Sequence, residues 1–316
     1  MRRVVIEHPG APPVVRDGPA PEPGPGEVAV ELLAAPVTPL DLLCASGTSY
    51  FGAPVTPYVP GVQGVGRVDG RTVWFPTTAG MRPGDGSMAV VAVAATEDLV
   101  GLPEGADPVA VAAAGLSAVA AHACLHARGG LTAGETVIVL GAGGIVGLSA
   151  VQFARAAGAR VVAGARSPAA RERAARAGAD VVVELDPTDL PVLAARFAEA
   201  CDGGADLVVD PLFGVPAAAA LRALRPGGRM VHLGSSAGDI SPIDSATLRS
   251  GSLRLIGYTN NELSRAERAT ILGAVAKAVA DGTLDLPYER WSLDDAAAAW
   301  QRQRDGQVDG RVVLVP

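Results

Sequence analysis

The chain has 316 residues, 49% of them hydrophobic, and its 26 basic and 33 acidic side chains give a formal net charge of −7. This length suits two domains, and the composition supplies a large core. The acidic balance argues against a nucleic-acid-binding surface. Three cysteines (Cys44, Cys124 and Cys201) lie far apart in the chain. The sequence therefore predicts neither a disulfide framework nor a metal site.

Nothing in the sequence clearly indicates a membrane protein. Its first residues are charged too early for a signal peptide. The longest apolar run, 108–125, is mostly alanine and falls short of the roughly 20 strongly apolar residues that a membrane span needs. We expect this run to form a small-residue helix packed against its neighbours, in a soluble, cytoplasmic protein that does not bind membranes.

The first 110 residues predict a β-rich module. Proline and glycine clusters separate short candidate strands at 4–7, 27–34, 64–68, 72–76 and 88–95. Between two of these strands, Asp69-Gly70 predicts a tight hairpin turn because both residue types tolerate positive φ angles.

The middle of the chain alternates valine-rich runs with alanine-rich helical patterns. The predicted strands are 137–140, 160–165, 180–185, 206–210, 229–234 and 253–257. The predicted helices are 144–157, 168–177, 190–200, 215–224 and 243–250. The strands are continuous apolar runs, which is typical of a parallel sheet buried on both faces. Six such strands with helical crossovers predict an α/β fold with a doubly wound Rossmann sheet. A helix over 264–281 and a strand at 310–316 follow, and we expect that strand to return to the first module.

The most informative motif is Gly-Ala-Gly-Gly-Ile-Val-Gly at 141–147, between an apolar strand and a helix. Gly144 would let the backbone approach a pyrophosphate, and Gly147 would let the helix pack tightly on the strand. The free amides and the dipole at the helix N-terminus favour phosphate groups. The alternative is a glycine turn without a ligand. The motif predicts a dinucleotide site formed by Ala142, Gly143, Gly144, Ile145 and Val146.

The strand after the glycine motif ends in Arg166-Ser167, where NAD-specific sites usually place an acid that binds the ribose 2′-hydroxyl. A guanidinium and a hydroxyl can instead bind a 2′-phosphate. Arg171 is a second candidate for this contact. The alternative is that these arginines only form a solvated helix face. We predict that the cofactor is NADPH.

Later strand ends should also reach the cofactor, because ligands bind at the carboxyl ends of parallel strands. These positions predict further cofactor contacts at Leu233, Gly234, Ser235, Tyr258 and Asn260.

Several segments together resemble the medium-chain dehydrogenase/reductase superfamily, in its zinc-free quinone oxidoreductase branch. They are 24–30, 57–64, 114–118, 131–137, the glycine motif and 310–314. The resemblance covers nearly the whole chain. It implies a GroES-like β-barrel catalytic domain (1–115 and 260–316), a Rossmann NADPH-binding domain (116–259) and a homodimer formed through the Rossmann sheets.

The resemblance also shows departures from zinc-dependent relatives. Those proteins have a cysteine within the segment equivalent to 37–41 and a His-Glu pair after Pro60-Gly61. This chain has Thr38 in the first segment and Val62-Gln63 in the second. Without such ligands there is no Lewis acid to ionise an alcohol. We therefore expect a zinc-independent enzyme.

The expected reaction is hydride transfer from NADPH to a quinone or an α,β-unsaturated carbonyl, whose oxygen gathers negative charge. The candidate catalytic donors are Thr38, Tyr50 and Gln63. Each residue also has a possible role that is not catalytic: a local backbone bond for Thr38, a place at the pocket mouth for Tyr50 and a structural role for Gln63. Two other functions stay open, an enoyl reductase that tailors a polyketide-like intermediate and a non-catalytic NADPH-binding protein.

Overall fold

The computed structural model describes residues 1–316 and divides into two compact units. The first unit is Met1–Gly115 with Leu272–Pro316, and the second is Leu116–Ile271. The second boundary in the structure falls at 271, whereas the sequence suggested 259. The reason is local: the Asn260 side chain donates a hydrogen bond of 3.0 Å to the Leu116 carbonyl, and Arg128 pairs with Glu262 at 2.7 Å.

The elements are numbered in chain order. The strands are β1 Arg2–Val5, β2 Val14–Asp17, β3 Glu27–Pro36, β4 Gln63–Val68, β5 Arg71–Pro76, β6 Val91–Ala95, β7 Val100–Gly101, β8 Thr136–Leu140, β9 Arg160–Ala165, β10 Val181–Glu184, β11 Ala205–Asp210, β12 Leu224–His232, β13 Arg254–Gly257, β14 Tyr288–Ser292 and β15 Arg311–Val315. The helices are α1 Pro39–Ser46, α2 Pro108–His122, α3 Ile145–Ala156, α4 Pro168–Arg176, α5 Leu190–Cys201, α6 Gly214–Arg222, α7 Ser245–Ser250, α8 Arg265–Ala280 and α9 Ala296–Arg304.

The first unit is built on a seven-stranded sheet with the order β14-β15-β3-β4-β5-β7, and β6 also pairs with β3. The predicted hairpin is confirmed: β4 and β5 pair antiparallel, with Asp69 at φ 48° and Gly70 at φ 75° in the turn. The returning strand is confirmed too, because β15 pairs antiparallel with β3. A core that includes Ile6, Met88 and Trp300 packs against these strands.

The second unit contains a six-stranded parallel sheet with the order β10-β9-β8-β11-β12-β13. This order confirms the predicted doubly wound Rossmann sheet. All five residues of β8 are buried, because a central strand covered by helices on both faces has no polar side. The strand order reverses between β8 and β11, and ligands of such sheets bind at the carboxyl ends of the strands at this switch point.

The apolar run is a buried helix, as expected. α2 continues into a π-helical turn, Ala123–Arg128, and Gly115 interrupts it with φ 32° and ψ −134°. The segment Pro108–Arg128 is the one stretch long and apolar enough to cross a membrane, but most of it is buried inside the protein, as core helices are.

The three cysteines are free and buried. Burial raises the pKa of Cys44 and Cys201 to about 11 and raises that of Cys124 further.

Candidate active site

The glycine motif forms a tight turn between β8 and α3. Gly141 has φ 62°, and Gly144 is the N-cap of α3 in an extended conformation. The first helical hydrogen bond runs from the Leu148 N–H to the Gly144 carbonyl, at 2.8 Å. The N–H groups of the first turn of α3 therefore have no acceptor within the helix and can donate to an anion.

The glycines of this turn differ in what surrounds them. A Cβ at Gly147 would lie 2.6 Å from the Ala142 Cα, and a Cβ at Gly143 would lie 2.9 Å from the Ala170 Cα. These two glycines permit close packing. A Cβ at Gly144 would meet nothing nearer than the Gly141 carbonyl oxygen, at 3.7 Å. Gly144 thus borders open space, and a pyrophosphate beside it fits the free amides of α3.

At the end of β9, Arg166 is exposed, and its guanidinium has no hydrogen-bond or ion-pair partner. Ser167 is the N-cap of α4 and accepts a hydrogen bond of 3.2 Å from the Ala170 N–H, which leaves its hydroxyl proton available. Arg171 instead forms an ion pair with Glu184 at the end of β10. Arg166 is therefore the freer of the two candidate arginines, and their contact with a 2′-phosphate stays a prediction.

The predicted residues after β12 and β13 are held by bonds inside the second unit. The Leu233 N–H donates to the Asp210 carbonyl at 2.9 Å, and the Ser235 hydroxyl donates to Asp239 at 2.7 Å. A Cβ on Gly234 would lie 2.9 Å from the Pro211 carbonyl oxygen.

The side chains of Tyr258 and Asn260 are also held by hydrogen bonds inside the second unit. The Tyr258 hydroxyl donates to the Asn260 side chain at 2.7 Å, and burial raises the tyrosine pKa. Contact of the residues after β12 and β13 with the cofactor stays a prediction.

Sequence reasoning missed a polar pair at the ends of β11 and β12. Asp210 is fully buried, and one carboxylate oxygen accepts hydrogen bonds of 2.9 Å from the N–H groups of Leu212 and Phe213. The other oxygen lies 2.9 Å from Nδ1 of His232. The available signal was that an aspartate and a histidine each end an apolar strand, but the register that places them opposite each other is visible only in the sheet.

The three predicted catalytic residues lie in the first unit and differ in how free their polar groups are. The Thr38 hydroxyl is buried and donates to the Asp41 carboxylate at 2.6 Å. Gln63 is buried and accepts a hydrogen bond of 2.9 Å from the Trp74 indole. Tyr50 is 77% exposed, and its ring contacts Phe51 at 4.2 Å between centroids. Among the three, Tyr50 has the most accessible polar group.

The Asp41 carboxylate is the partner that already engages the Thr38 hydroxyl. The buried carboxylate accepts from the Thr38 N–H at 2.8 Å, from the Thr38 hydroxyl, and from the N–H groups of Gly61 and Val62 at 3.1 and 2.9 Å. Burial raises the pKa of Asp41, while the bonds from Thr38 and Val62 and the nearby Arg311 oppose that rise. Burial also lowers the pKa of Arg311, to about 10. The structure therefore contains the non-catalytic alternative for Thr38, a local bond between its hydroxyl and Asp41.

No three His, Cys, Asp or Glu side chains come together in a way that could hold a metal ion. At the positions where the resemblance places zinc ligands in other proteins, the chain has the Thr38–Asp41 cap and the Val62-Gln63 pair.

Comparison with known proteins gives consistent matches. A family described as zinc-binding dehydrogenase matches residues 146–277. Human quinone oxidoreductase is 29% identical over 274 residues, which cover 82% of this chain and 80% of that protein. The quinone oxidoreductase of Thermus thermophilus, whose structure was also solved in complex with NADPH, superposes with a TM-score of 0.84 at 29% identity, with full coverage of both chains.

Polyketide synthases match as well. A spectinabilin polyketide synthase protein of Streptomyces orinoci is 31% identical over 301 residues, which cover 92% of this chain and 13% of that protein. This chain thus spans only a small part of the polyketide synthases that it matches.

A doubly wound parallel sheet with a glycine turn between β8 and α3, together with a separate β-rich unit, is the architecture that this chain shares with the matched oxidoreductase structures. The chain belongs to the medium-chain dehydrogenase/reductase superfamily, and its structural neighbours include the quinone oxidoreductases of that superfamily.

Proposed function

We propose that this protein is an NADPH-dependent, zinc-independent reductase whose acceptor is a quinone or an α,β-unsaturated carbonyl. The observation that carries the proposal is the combination of an open phosphate turn at Gly144 with an unpartnered guanidinium at Arg166. The NADPH complex of the Thermus thermophilus relative supports the same cofactor. When bound, the reduced nicotinamide supplies a hydride, and the protein supplies binding and orientation.

The cofactor would be held by residues of the second unit. Ala142, Gly143, Gly144, Ile145 and Val146 would surround the pyrophosphate. The N–H groups of Ile145 and Val146, in the first turn of α3, would donate to it, whereas those of Ala142 and Gly144 already bond the carbonyls of Gly164 and Gly141. Arg166 and the Ser167 hydroxyl would bind the 2′-phosphate, since a guanidinium matches phosphate oxygens in a bidentate manner.

The test of cofactor choice is Arg166→Ala, measured as KM for NADPH and for NADH. We expect KM for NADPH to rise roughly ten- to hundredfold, the effect of losing a hydrogen bond to a charged group, with little change for NADH. Arg176→Ala is the matched control, because Arg176 is exposed on α4 and pairs with Glu172 on the same helix. Equal effects on both cofactors would defeat the assignment.

For the acceptor, we propose that the Tyr50 hydroxyl donates a hydrogen bond to the oxygen that gathers negative charge. Thr38 and Gln63 would support the site rather than reach the acceptor, because their polar groups already bond Asp41 and Trp74. Tyr50→Phe should lower kcat and leave the KM for NADPH unchanged. A variant with full kcat on every acceptor would remove Tyr50 from the proposal.

A second candidate is an enoyl reductase that acts on a polyketide-like intermediate. The match to a polyketide synthase over 92% of this chain favours it. NADPH oxidation measured with simple quinones and with short α,β-unsaturated thioesters separates the two candidates. Turnover of the quinones supports the first candidate, and turnover of the thioesters alone supports the second.

We further propose that the protein is a cytoplasmic homodimer formed through the edge of the Rossmann sheet. The edge strand β13 supports this, since three of its four residues are exposed, Leu255 among them, and an unpaired edge favours association. Leu255→Arg should convert a dimer to a monomer in light scattering. A wild-type monomer would reject this part of the proposal.

A further inference from the structure

The strongest unassigned feature of the molecule is the pair formed by Asp210 and His232. Both residues end strands of the parallel sheet, and β11 and β12 pair so that the two lie opposite each other. Asp210 is fully buried and His232 is partly exposed. Because Asp210 accepts three hydrogen bonds, through Leu212, Phe213 and His232, it fixes the start of the loop that follows β11.

That loop, residues 211–214, has an unusual backbone. Phe213 has φ 56° and ψ −149°, a backbone region that residues other than glycine rarely adopt. Its ring packs on the His232 imidazole at 4.4 Å between centroids. A strained residue of this kind persists only where its surroundings hold it, and such residues concentrate at functional sites. Here the Asp210 carboxylate bonds the Phe213 N–H and the His232 imidazole packs on its ring, so these two residues keep Phe213 in this conformation.

The loop also touches both of its neighbours at the switch point. The Leu212 side chain would lie 3.1 Å from a Cβ on Gly141, so it packs against the phosphate turn. The Leu212 carbonyl accepts a hydrogen bond of 2.8 Å from the Ala237 N–H in the segment after β12. Loop 211–214 therefore bridges the phosphate turn and the segment that contains Leu233 to Ser235.

In a doubly wound sheet, the two halves on either side of the switch point bind the two nucleotides of a dinucleotide. Arg166 follows β9 in one half, which assigns the adenosine part to that side. Asp210 and His232 end β11 and β12 in the other half. Their loop therefore faces the nicotinamide nucleotide.

We propose that His232 is a positioning residue, which acts through Asp210 and Phe213 to hold loop 211–214 in the shape that binds the nicotinamide half of the cofactor. This inference rests on the proposed NADPH site. Nδ1 of His232 donates to Asp210, and the imidazole ring supports the Phe213 ring. Neither role requires His232 to touch the reacting atoms.

The test uses two ligands, NADPH and adenosine 2′,5′-bisphosphate, which keeps the adenosine and the 2′-phosphate but lacks the nicotinamide. His232→Phe keeps a ring against Phe213 and removes the donor. It should weaken NADPH binding about tenfold, the loss of one hydrogen bond to a charged group, and leave the affinity for the bisphosphate unchanged. His232→Asn keeps a donor near the position of Nδ1 and should restore most of the NADPH affinity.

Several outcomes would overturn the inference. They are a His232→Phe variant that binds NADPH like the wild type, one that loses both ligands equally, and an Asn variant no better than the Phe variant. Thermal unfolding of each variant checks that it is folded, and His232→Leu replaces the Phe variant if that variant does not fold. Wild-type protein that binds neither ligand would instead reject the proposed function itself.

Discussion

The glycine turn after β8 (141–147, the proposed phosphate site) and the Gly61–Val62 segment both present backbone N–H groups at a glycine, but those groups have different acceptors. In the first unit, the Asp41 carboxylate accepts from Gly61 and Val62, so the chain supplies its own anion. In the second unit, the first turn of α3 has no such acceptor, and Gly144 borders open space. We call the N–H groups in the first turn of α3 the open set, because no acceptor in the protein fills them, and such a set indicates a ligand site. We call those of Gly61 and Val62 the filled set, because Asp41 accepts from them, and such a set indicates a structural joint.

The largest effect should come from breaking the filled set. Asp41→Ala removes the acceptor for four buried hydrogen bonds and leaves the nearby Arg311 charge buried, which should cost about 3–5 kcal/mol in the free energy of unfolding. Chemical denaturation measures this loss. Asp85→Ala is the matched control, because Asp85 accepts a single bond from the Val59 N–H at 2.7 Å. If Asp41→Ala kept its stability but lost nucleotide binding, the distinction between joint and ligand site would fail.

The next effect tests the open set. Gly144→Val places methyl groups in the space beside α3, so we expect weaker NADPH binding by about 1–3 kcal/mol, the usual cost of overpacking, with a small fall in Tm because valine is a poorer N-cap than glycine. Gly147→Ala is the contrasting variant, because its Cβ would press on the Ala142 backbone and lower Tm as well. Calorimetric titration and thermal unfolding together separate the two effects. Unaltered NADPH affinity in Gly144→Val would show that no phosphate lies there.

A smaller effect tests whether Thr38 belongs to the joint or to the chemistry. Thr38 is the N-cap of α1 and forms a capping box with Asp41. Thr38→Val removes the cap and should lower stability by about 0.5–2 kcal/mol, whereas Thr38→Ser should keep it. We expect kcat to follow the wild type in both folded variants. A kcat that falls in the Val variant and returns in the Ser variant would restore Thr38 as a catalytic donor.

The smallest effect concerns pH in the second unit, away from the open turn. The His122 and His126 rings lie 4.5 Å apart, and burial, with a smaller contribution from His126, lowers the pKa of His122 from 6.5 to about 4. Since the unfolded chain binds the proton more tightly, His122 favours the folded state above pH 6.5. That contribution is lost as the pH falls towards and through 4.

The free energy of unfolding should therefore fall between pH 6.5 and pH 4, and His122→Gln should reduce that fall. We expect the reduction to be about 1 kcal/mol, a value kept small because His122 is partly exposed to solvent. His8→Gln, at an exposed histidine, serves as the control. An identical pH dependence in wild type and His122→Gln would contradict the assignment.

Much of the second unit could be predicted from the sequence, because its information is local. Continuous apolar runs define the parallel strands, and the glycines between β8 and α3 allow the tight turn and the close helix packing that the motif predicts. The cap at Thr38 was also accessible, since threonine three residues before an acid is a capping-box pattern. A local bond was the alternative to a catalytic role for Thr38, and the structure contains that bond.

The Asp210–His232 pair could not be predicted in the same way. The two residues are 22 positions apart, and their contact depends on the register between β11 and β12. The Arg171–Glu184 pair is similar, because it joins the first turn of α4 to the end of β10. Charged side chains such as these choose partners from the assembled sheet, so their roles follow from topology and not from spacing.

The buried cysteines have a practical consequence. A thiol with a pKa of about 11 has very little thiolate at neutral pH, and the thiolate is the form that reacts with alkylating reagents. Native Cys44, Cys124 and Cys201 should therefore stay unmodified while the protein is folded. A single new surface cysteine could then accept a fluorophore or spin label selectively, with no need to remove the natural ones.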